Sequence, residues 1–378
     1  MQKYGAHFYG LITLLVLLLV ASNQALGVDL INKSREVKGY GKRDRVFPVS
    51  SQTVSPSQLH EIYGSRVDAG LEVTSANNQY EDFGVRSTSP SATVRGLVGG
   101  DILVLGVAGS RSETSGRANT DVAVKERQIS KKFVPQVAAT FADHATMGVA
   151  SELNWMELRQ NSDIGKERTF AGYTRREAFG LSYHTSKMEV GVVHTTFNHS
   201  RANSKDAEAP EPALSLTLIA AKDPGQRELY IPAHNAVFAR GNFTKNWSMQ
   251  GMVAHVEYDS NVEGAKPDFA QYRRDDRLAG QLQGIYWFDN EASRISATAN
   301  YRGATYAPFG TEENGLGYRD ANLYGGALDG IAEIAPKSYL GLRLAYMRGE
   351  RDQDLDEGRR IVAREQQTSI GTTFSKTF

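Results

Sequence analysis

The sequence predicts an all-β fold: a transmembrane antiparallel up-and-down β-barrel of about fourteen strands, with sixteen as the alternative. Three observations carry this. From about residue 66 onward, segments of about ten residues alternate apolar and polar side chains with a period of two. The connections between them are alternately short and long. Aromatic residues collect near the segment ends rather than in the middle. A soluble sandwich shows no such regular alternation of connection length, whereas a membrane barrel has short periplasmic turns and long extracellular loops.

The segment 294–306 shows the pattern most clearly. Ile295, Ala297, Ala299, Tyr301 and Gly303 share one face, and Arg294, Ser296, Thr298, Asn300 and Arg302 share the other. Successive side chains of a strand point to opposite faces, so this strand has one face for lipid and one for a polar interior. The same division separates Leu340, Leu342, Leu344 and Tyr346 from Gly341, Arg343 and Ala345. It separates Met147, Val149, Leu153 and Trp155 from Thr146, Gly148, Ala150, Glu152 and Asn154. In 278–288, Leu278, Leu282, Tyr286 and Phe288 oppose Gln281 and Gln283. In 324–334, Tyr324, Leu328, Ala332 and Ile334 oppose Asp329 and Glu333.

Short spacers fall at 99–101, 143–145, 186–187, 244–246, 289–292 and 335–337, and long charged ones at 111–127, 199–211, 259–276, 307–319 and 349–360. Phe141, Phe243, Trp247, Phe288 and Tyr339 flank the short set, and Trp155, Tyr301, Tyr306 and Tyr346 lie toward the long set. Two aromatic bands at those places mark the two water–lipid boundaries. Strands are expected at 66–75, 91–98, 102–110, 128–142, 146–158, 172–185, 188–198, 236–243, 247–258, 277–288, 294–306, 321–334, 339–348 and 360–378. Residues 212–234 are either two further strands or a hairpin belonging to a long loop; Pro212, Pro224 and Pro232 favour the loop, because proline donates nothing to a ladder.

The barrel is assigned to residues 65–378. Residues 1–27 read as a secretory signal: a lysine, the apolar run LITLLVLLLVA, then small residues at Ala25 and Gly27. The run is shorter than the roughly 20 residues of a spanning helix. Residues 28–64 form an N-terminal periplasmic or plug segment with one short helix. Ser55 is placed as its N-cap, Pro56 at its first position, Gln58 three residues on and Gly64 at its end. This helix plugs the barrel, lies under it or leads into the first strand.

The chain holds 43 basic and 43 acidic residues, which offers nothing to a nucleic acid. It has no cysteine, so neither a disulfide framework nor a thiolate metal site exists, and no cofactor or metal motif is present. The polar faces place Arg240, Arg294, Arg302 and Arg343 against Glu152, Asp329 and Glu333 in the lumen. Such mixed charge either sets a transverse field for polar solutes or is ion-paired filling. A barrel of fourteen strands falls between the filled eight-stranded and open sixteen-stranded cases. An outer-membrane hydrolase is the least favoured class. His199 and Ser200 are adjacent, so on a strand they point to opposite faces and build no proton relay.

The chain ends SIGTTFSKTF, with Ile370, Phe374 and Phe378 on one face, Gly371 among them and Lys376 interrupting that face. With the signal segment, the alternation and the short–long spacing, this ending resembles that of Gram-negative outer-membrane β-barrel proteins of the porin type. In that class the last strand, with its terminal phenylalanine, is the signal read by the outer-membrane assembly machinery. The resemblance implies passive or facilitated passage of small solutes, with outer-membrane lipids and lipopolysaccharide as surroundings, as a monomer or a trimer. Fourteen strands after an N-terminal segment is also similar to the long-chain fatty-acid transporters, whose N-terminal hatch blocks the lumen. Their Asn-Pro-Ala signature is absent from this sequence. That second resemblance implies apolar substrates. A structural or adhesive barrel working through its charged loops is the remaining class.

Overall fold

A computed structural model of the chain describes residues 55–61 and 64–378, apart from 80–83, 101, 120–123, 142–143, 163–167, 186–187, 197, 205–217, 221–225, 232, 245, 258–276, 289–292, 304–319 and 355–359. The signal segment 1–27 and the long spacers 259–276 and 307–319 therefore lie outside the described residues, wholly or nearly so. A 3-10 helix, Pro56–Glu61, precedes the strands β1 (Gly64–Gln79), β2 (Gly84–Gly99), β3 (Leu103–Asn119), β4 (Val124–Phe141), β5 (Ala145–Ser162) and β6 (Arg168–His184). Then come β7 (Met188–Thr195), β8 (Asn198–Ser204), β9 (Leu218–Ala220), β10 (Gln226–Ile231), β11 (Ala233–Asn242) and β12 (Trp247–Glu257). The last are β13 (Arg277–Trp287), β14 (Arg294–Gly303), β15 (Asp320–Ala335), β16 (Ser338–Asp354) and β17 (Arg360–Thr377).

These seventeen segments make fourteen staves of one closed antiparallel barrel. The ring runs β1 to β7, passes to β11, continues to β17 and returns to β1. Segment β8 continues the line of β7, and β10 leads into β11; β8 and β10 pair with each other, from Asn198↔Ile231 to Asn203↔Gln226. The described residues of 212–234 thus add no stave. The second half of this stretch lengthens the stave of β11 beyond the proline at 232, and β9 is a three-residue addition to β10.

Closure is the work of β1 and β17, which pair without a break from Arg66↔Thr377 to Gln79↔Arg364. In hydrocarbon an open edge leaves backbone groups without partners, so an apolar-faced sheet closes on itself. The outward positions are the apolar ones read from the sequence: Leu282, Ile295, Leu328, Leu342 and Ile370 all stand exposed on the outside, and Leu71, Val94 and Leu105 join them on β1–β3. Trp247, Phe288 and Phe243 mark the end with the short turns.

Two expectations are corrected. The first strands run 64–79 and 84–99, well past 66–75 and 91–98. The spacers 111–127 and 349–360 are largely strand, because β3 and β4 extend to 119 and from 124, and β16 and β17 to 354 and from 360. Beyond the lipid both faces of a stave meet water, so the apolar alternation that betrays a strand disappears while its ladder continues. Strand rise and a tilt near 40° give about 2.5 Å of height per residue, so an apolar band of about 25 Å uses only about ten residues of each stave.

The helix start is as read. The backbone N–H of Ser55 donates to Gln58 Oε1 (3.3 Å), and that of Ser57 to Ser55 Oγ (3.3 Å). The element is a short 3-10 helix ending at Glu61, three residues before Gly64. It packs on the inner wall of β3–β6. Leu59 is fully buried against Leu97, Val104 and Ala138. Gly148 and Gly180, register partners on β5 and β6, lie directly beneath Pro56, Ser57 and Ser55, and a Cβ on either collides with that segment.

At the closing seam the backbone N–H of Phe378 donates to Ser65 O (2.8 Å), and the ring stands outside. The Lys376 ammonium lies 5.7 Å from its centroid, so the lysine that interrupts the outward face covers the terminal ring instead of entering lipid alone. Replacing Phe378 by Ala removes the last outward anchor of β17. The fraction of chain reaching the heat-modifiable, folded form on denaturing gels is expected to fall several-fold, with the solute behaviour of the folded fraction unchanged.

Candidate functional site: the barrel lumen

Alternation sends every second side chain of each stave inward, and register decides which inward residues become neighbours. The inward charges meet as ion pairs. At the seam of β17, β1 and β2, Asp68 is fully buried between two arginines. Arg66 Nε donates to Oδ1 (2.7 Å), and Arg95 donates to Oδ2 through Nε (2.9 Å) and Nη2 (2.7 Å). Arg240 pairs with Glu189 (3.1 Å), with both side chains more than nine-tenths buried. Arg343 Nη1 donates to Asp329 Oδ1 (3.0 Å). Glu152 sits between Lys132 Nζ (3.1 Å) and Arg176 Nη2 (3.3 Å). The guanidinium of Arg294 lies 5.4 Å from the ring centroid of Trp287, whose indole N–H donates to Ser248 Oγ (3.1 Å).

The structure therefore brings Arg343 together with Asp329 and puts Arg240, Arg294 and Glu152 inside the wall, each against a different neighbour. Glu333 is elsewhere: it is exposed at the short turn between β15 and β16, where its Oε1 accepts the backbone N–H of Lys337 (3.0 Å). Lys337 has φ of 58° there, a tight turn whose N–H needs such an acceptor. Of Arg302 the structure gives the ladder position, between Ala279 and Leu323. The partners Glu189, Asp68, Arg66, Arg95 and Lys132 escaped the sequence reading. Register, which brings Arg240 to Glu189 across β7 and β11, depends on which strands neighbour each other, and that is not written in either strand alone.

Pairing neutralises these charges where they stand. Besides these pairs the wall carries uncharged polar side chains, Ser130, Thr146, Asn154, Thr174, Gln250, Ser296 and Thr298 among them, and apolar ones. One inward row passes from stave to stave as Val104, Ala138, Gly148, Gly180, Val193, Ala236, Ala254 and Ala279, each the direct register partner of the next. Because the ladder direction is oblique to the barrel axis, the row climbs. Val104 is one residue from the short-turn end of β3, and Ala279 is eight residues from that end of β13. The 3-10 helix covers its lower part at Gly148 and Gly180. Beyond the helix, Val193, Ala236 and Ala254 form an apolar cluster with Met252 and Ala279. A second inward apolar group stands at the long-loop end of β5 and β6: Met156, Leu158 and Phe170, with Leu158 opposite Phe170.

Among the described residues, no group of three or more His, Asp or Glu side chains is placed to hold a metal ion. His194 Nδ1 bonds Asn235 Oδ1 (2.7 Å), and His184 Nε2 bonds Thr146 Oγ1 (3.2 Å).

No protein-family model matches the chain, and no curated protein is significantly similar in sequence. Solved structures are. A Pseudomonas aeruginosa FadL homologue superposes with a TM-score of 0.60 over 90% of this chain and 96% of that one, at 13% identity. The Pseudomonas putida toluene transporter TodX gives 0.58 over 90% and 96%, at 11% identity. The monoaromatic hydrocarbon channel CymD gives 0.54 over 91% and 99%, at 13% identity. The chain shares the closed β-barrel fold of these structures. At these identities the likeness is one of fold, and these neighbours are transporters and channels rather than enzymes.

The Asp68 cluster makes a direct test of how the lumen is held. Asp68→Asn leaves two buried guanidinium groups without the carboxylate between them, a loss of about 3–5 kcal/mol for a broken buried pair. The urea midpoint of the refolded barrel in detergent is expected to drop accordingly, while Asp329→Asn, whose arginine is one-fifth exposed, costs less.

Proposed function

We propose that the protein is an outer-membrane channel for small apolar molecules, with the 3-10 helix segment acting as the plug of its periplasmic end. The observation that carries this is the inward row from Val104 to Ala279, an unbroken apolar and small-residue track across eight staves of a wall whose charges are paired off. A water-filled pore for ions and sugars needs solvated, one-signed or unpaired polar groups along its path. Here the carboxylates Asp68, Glu152, Glu189 and Asp329 each face a cation. The general polar-solute pore, expected from strand number and mixed charge, is the less supported of the two readings.

In this reading an apolar solute leaves the outer face at Met156, Leu158 and Phe170, which give it a dry contact site of stacked thioether, aliphatic and aromatic groups. It then follows the cluster of Val193, Ala236, Ala254 and Met252. The row of alanines and glycines matters because small side chains leave width, and apolar ones ask no desolvation of the passenger. The helix seated on Gly148 and Gly180 stands at the lower end of the track. The toluene transporter TodX and the monoaromatic hydrocarbon channel CymD, which share the fold, agree with an apolar passenger.

The test is uptake of a radiolabelled alkylbenzene by intact cells, where the lipopolysaccharide leaflet rather than phospholipid is the barrier to apolar solutes. The wild-type chain is expected to raise uptake well above a cell without it, and Ala254→Asp, which places a carboxylate on the track, to lower it at least tenfold at equal surface level. Strong ion conductance of the refolded wild type in planar bilayers, with no alkylbenzene uptake in cells, contradicts the proposal.

A further inference from the structure

The outside of the barrel is apolar through most of its height and charged toward the upper ends of the staves, where Arg86, Arg348 and Arg364 stand singly and the charges are densest on β3–β6. There the outward positions are Arg111, Arg127, Lys131, Arg159 and Arg175, all exposed, with Glu113, Glu157 and Glu177 between them. Register makes this one patch. Arg111 pairs with Lys131, Lys131 with Trp155, and Trp155 with Tyr173, in a single outward row. Directly below it runs the row Gly109, Phe133, Leu153 and Arg175, and the rows above carry Glu113 and Glu157, then Arg127 and Arg159.

The height of the patch follows from the staves. Arg111 is eight residues above the start of β3, and Lys131 is ten residues above the short-turn end of β4. At about 2.5 Å of height per residue they stand about 20–25 Å above the periplasmic boundary, at the outer edge of an apolar band of about 25 Å. Trp155 and Tyr173, with ring centroids 5.6 Å apart, mark that edge in the same row.

The pairing within the patch is partial. Glu113 is shared by Arg127 (2.8 Å) and Arg111 (3.8 Å), Arg159 pairs with Glu157 (2.6 Å), and Arg175 pairs with Glu177. Among the described residues Lys131 takes part in no ion pair, and five cations face three carboxylates there, so the described patch is positive. Cations on an outward barrel face at this depth cost energy against hydrocarbon, less near the interface than at the midplane. They are stabilised when the adjoining headgroup is anionic.

We propose that this face of β3–β6 is a binding site for the phosphorylated glycolipid of the outer leaflet, the lipid A part of lipopolysaccharide. Lys131 and Arg111 take a glucosamine phosphate, and Arg127 and Arg159, two outward rows higher, reach the next anionic group. The Trp155–Tyr173 pair packs against the acyl chains where they leave the sugar. Arginine forks suit phosphate oxygens in pairs, and lysine adds a point charge beside them. The choice of this lipid over a simple anionic phospholipid rests on position and spread: the charges lie in the outer half of the band, and they span four staves, wider than one phosphodiester headgroup. The site is independent of what the lumen carries.

The experiment is native mass spectrometry of the refolded full-length barrel in detergent, titrated with bisphosphorylated lipid A, with lipid A stripped of its phosphates, and with phosphatidylglycerol. The wild type is expected to retain bisphosphorylated lipid A at least tenfold better than either other lipid. Arg111→Glu/Lys131→Glu is expected to lose that preference while keeping the heat-modifiable folded band, and Arg348→Glu, at the same level on β16, to keep it. Equal retention by the double variant and the wild type overturns the site. Equal retention of phosphatidylglycerol and bisphosphorylated lipid A overturns the choice of lipid. If the double variant does not fold, Lys131→Gln alone, which removes the unpaired cation and no salt bridge, is expected to weaken retention several-fold, and unchanged retention overturns the site.

Discussion

The structure depends on one constraint: no backbone amide may face hydrocarbon without a partner. A chain whose strands present apolar side chains to lipid meets it only by pairing its first stave with its last. The unbroken ladder between β1 and β17 does this, and it has consequences at every other level. It fixes the register around the ring. Register in turn decides which inward residues touch, and so whether the interior charges find each other. A one-residue slip of β1 at the seam exchanges its two faces and turns Arg66 and Asp68 toward lipid, away from Arg95.

The interior answers the same physics in its own way. Buried charge is tolerated only when paired and hydrogen-bonded. Asp68 has two arginines, Glu152 a lysine and an arginine, and Glu189 and Asp329 an arginine each. Once those charges are paired, the surface that remains distinctive is the climbing row of small and apolar residues, and that row gives the lumen its proposed passenger. The 3-10 helix is held on it by shape. Two glycines leave the wall low enough for Pro56 and Ser57, and Leu59 fills the adjoining space against Leu97, Val104 and Ala138.

Much of this was legible in the sequence, for a physical reason. A strand between lipid and a polar interior must alternate, so the outward faces at 294–303 and 340–346 could be read residue by residue. The short turns, the helix start at Ser55 and the closing role of Phe378 are equally local. Illegible were the things that arise between strands. The upper parts of β3, β4, β16 and β17 stand clear of lipid and show no apolar face, so they read as loops. Glu189 and Arg240 are fifty-one positions apart, and only the β7–β11 neighbourhood brings them to 3.1 Å. The apolar row has one residue on each of eight staves, so no window of sequence contains it. Glu333 shows the opposite failure: its parity is right for the lumen, but the bulge between Glu333 and Ala335 puts it at the turn.

The chain has no cysteine, so pairs of introduced cysteines report register without background. The most direct measurement joins the two ends of the barrel. Thr74 and Ser369 face each other across β1 and β17 with their hydroxyl oxygens 2.8 Å apart. The account predicts that Thr74→Cys/Ser369→Cys oxidises readily in the folded protein to a disulfide that links first stave to last, while Thr74→Cys/Thr368→Cys, one residue out of register and on the opposite face, does not. Efficient cross-linking of the second pair in place of the first contradicts the closure on which both the lumen and the outer face are built.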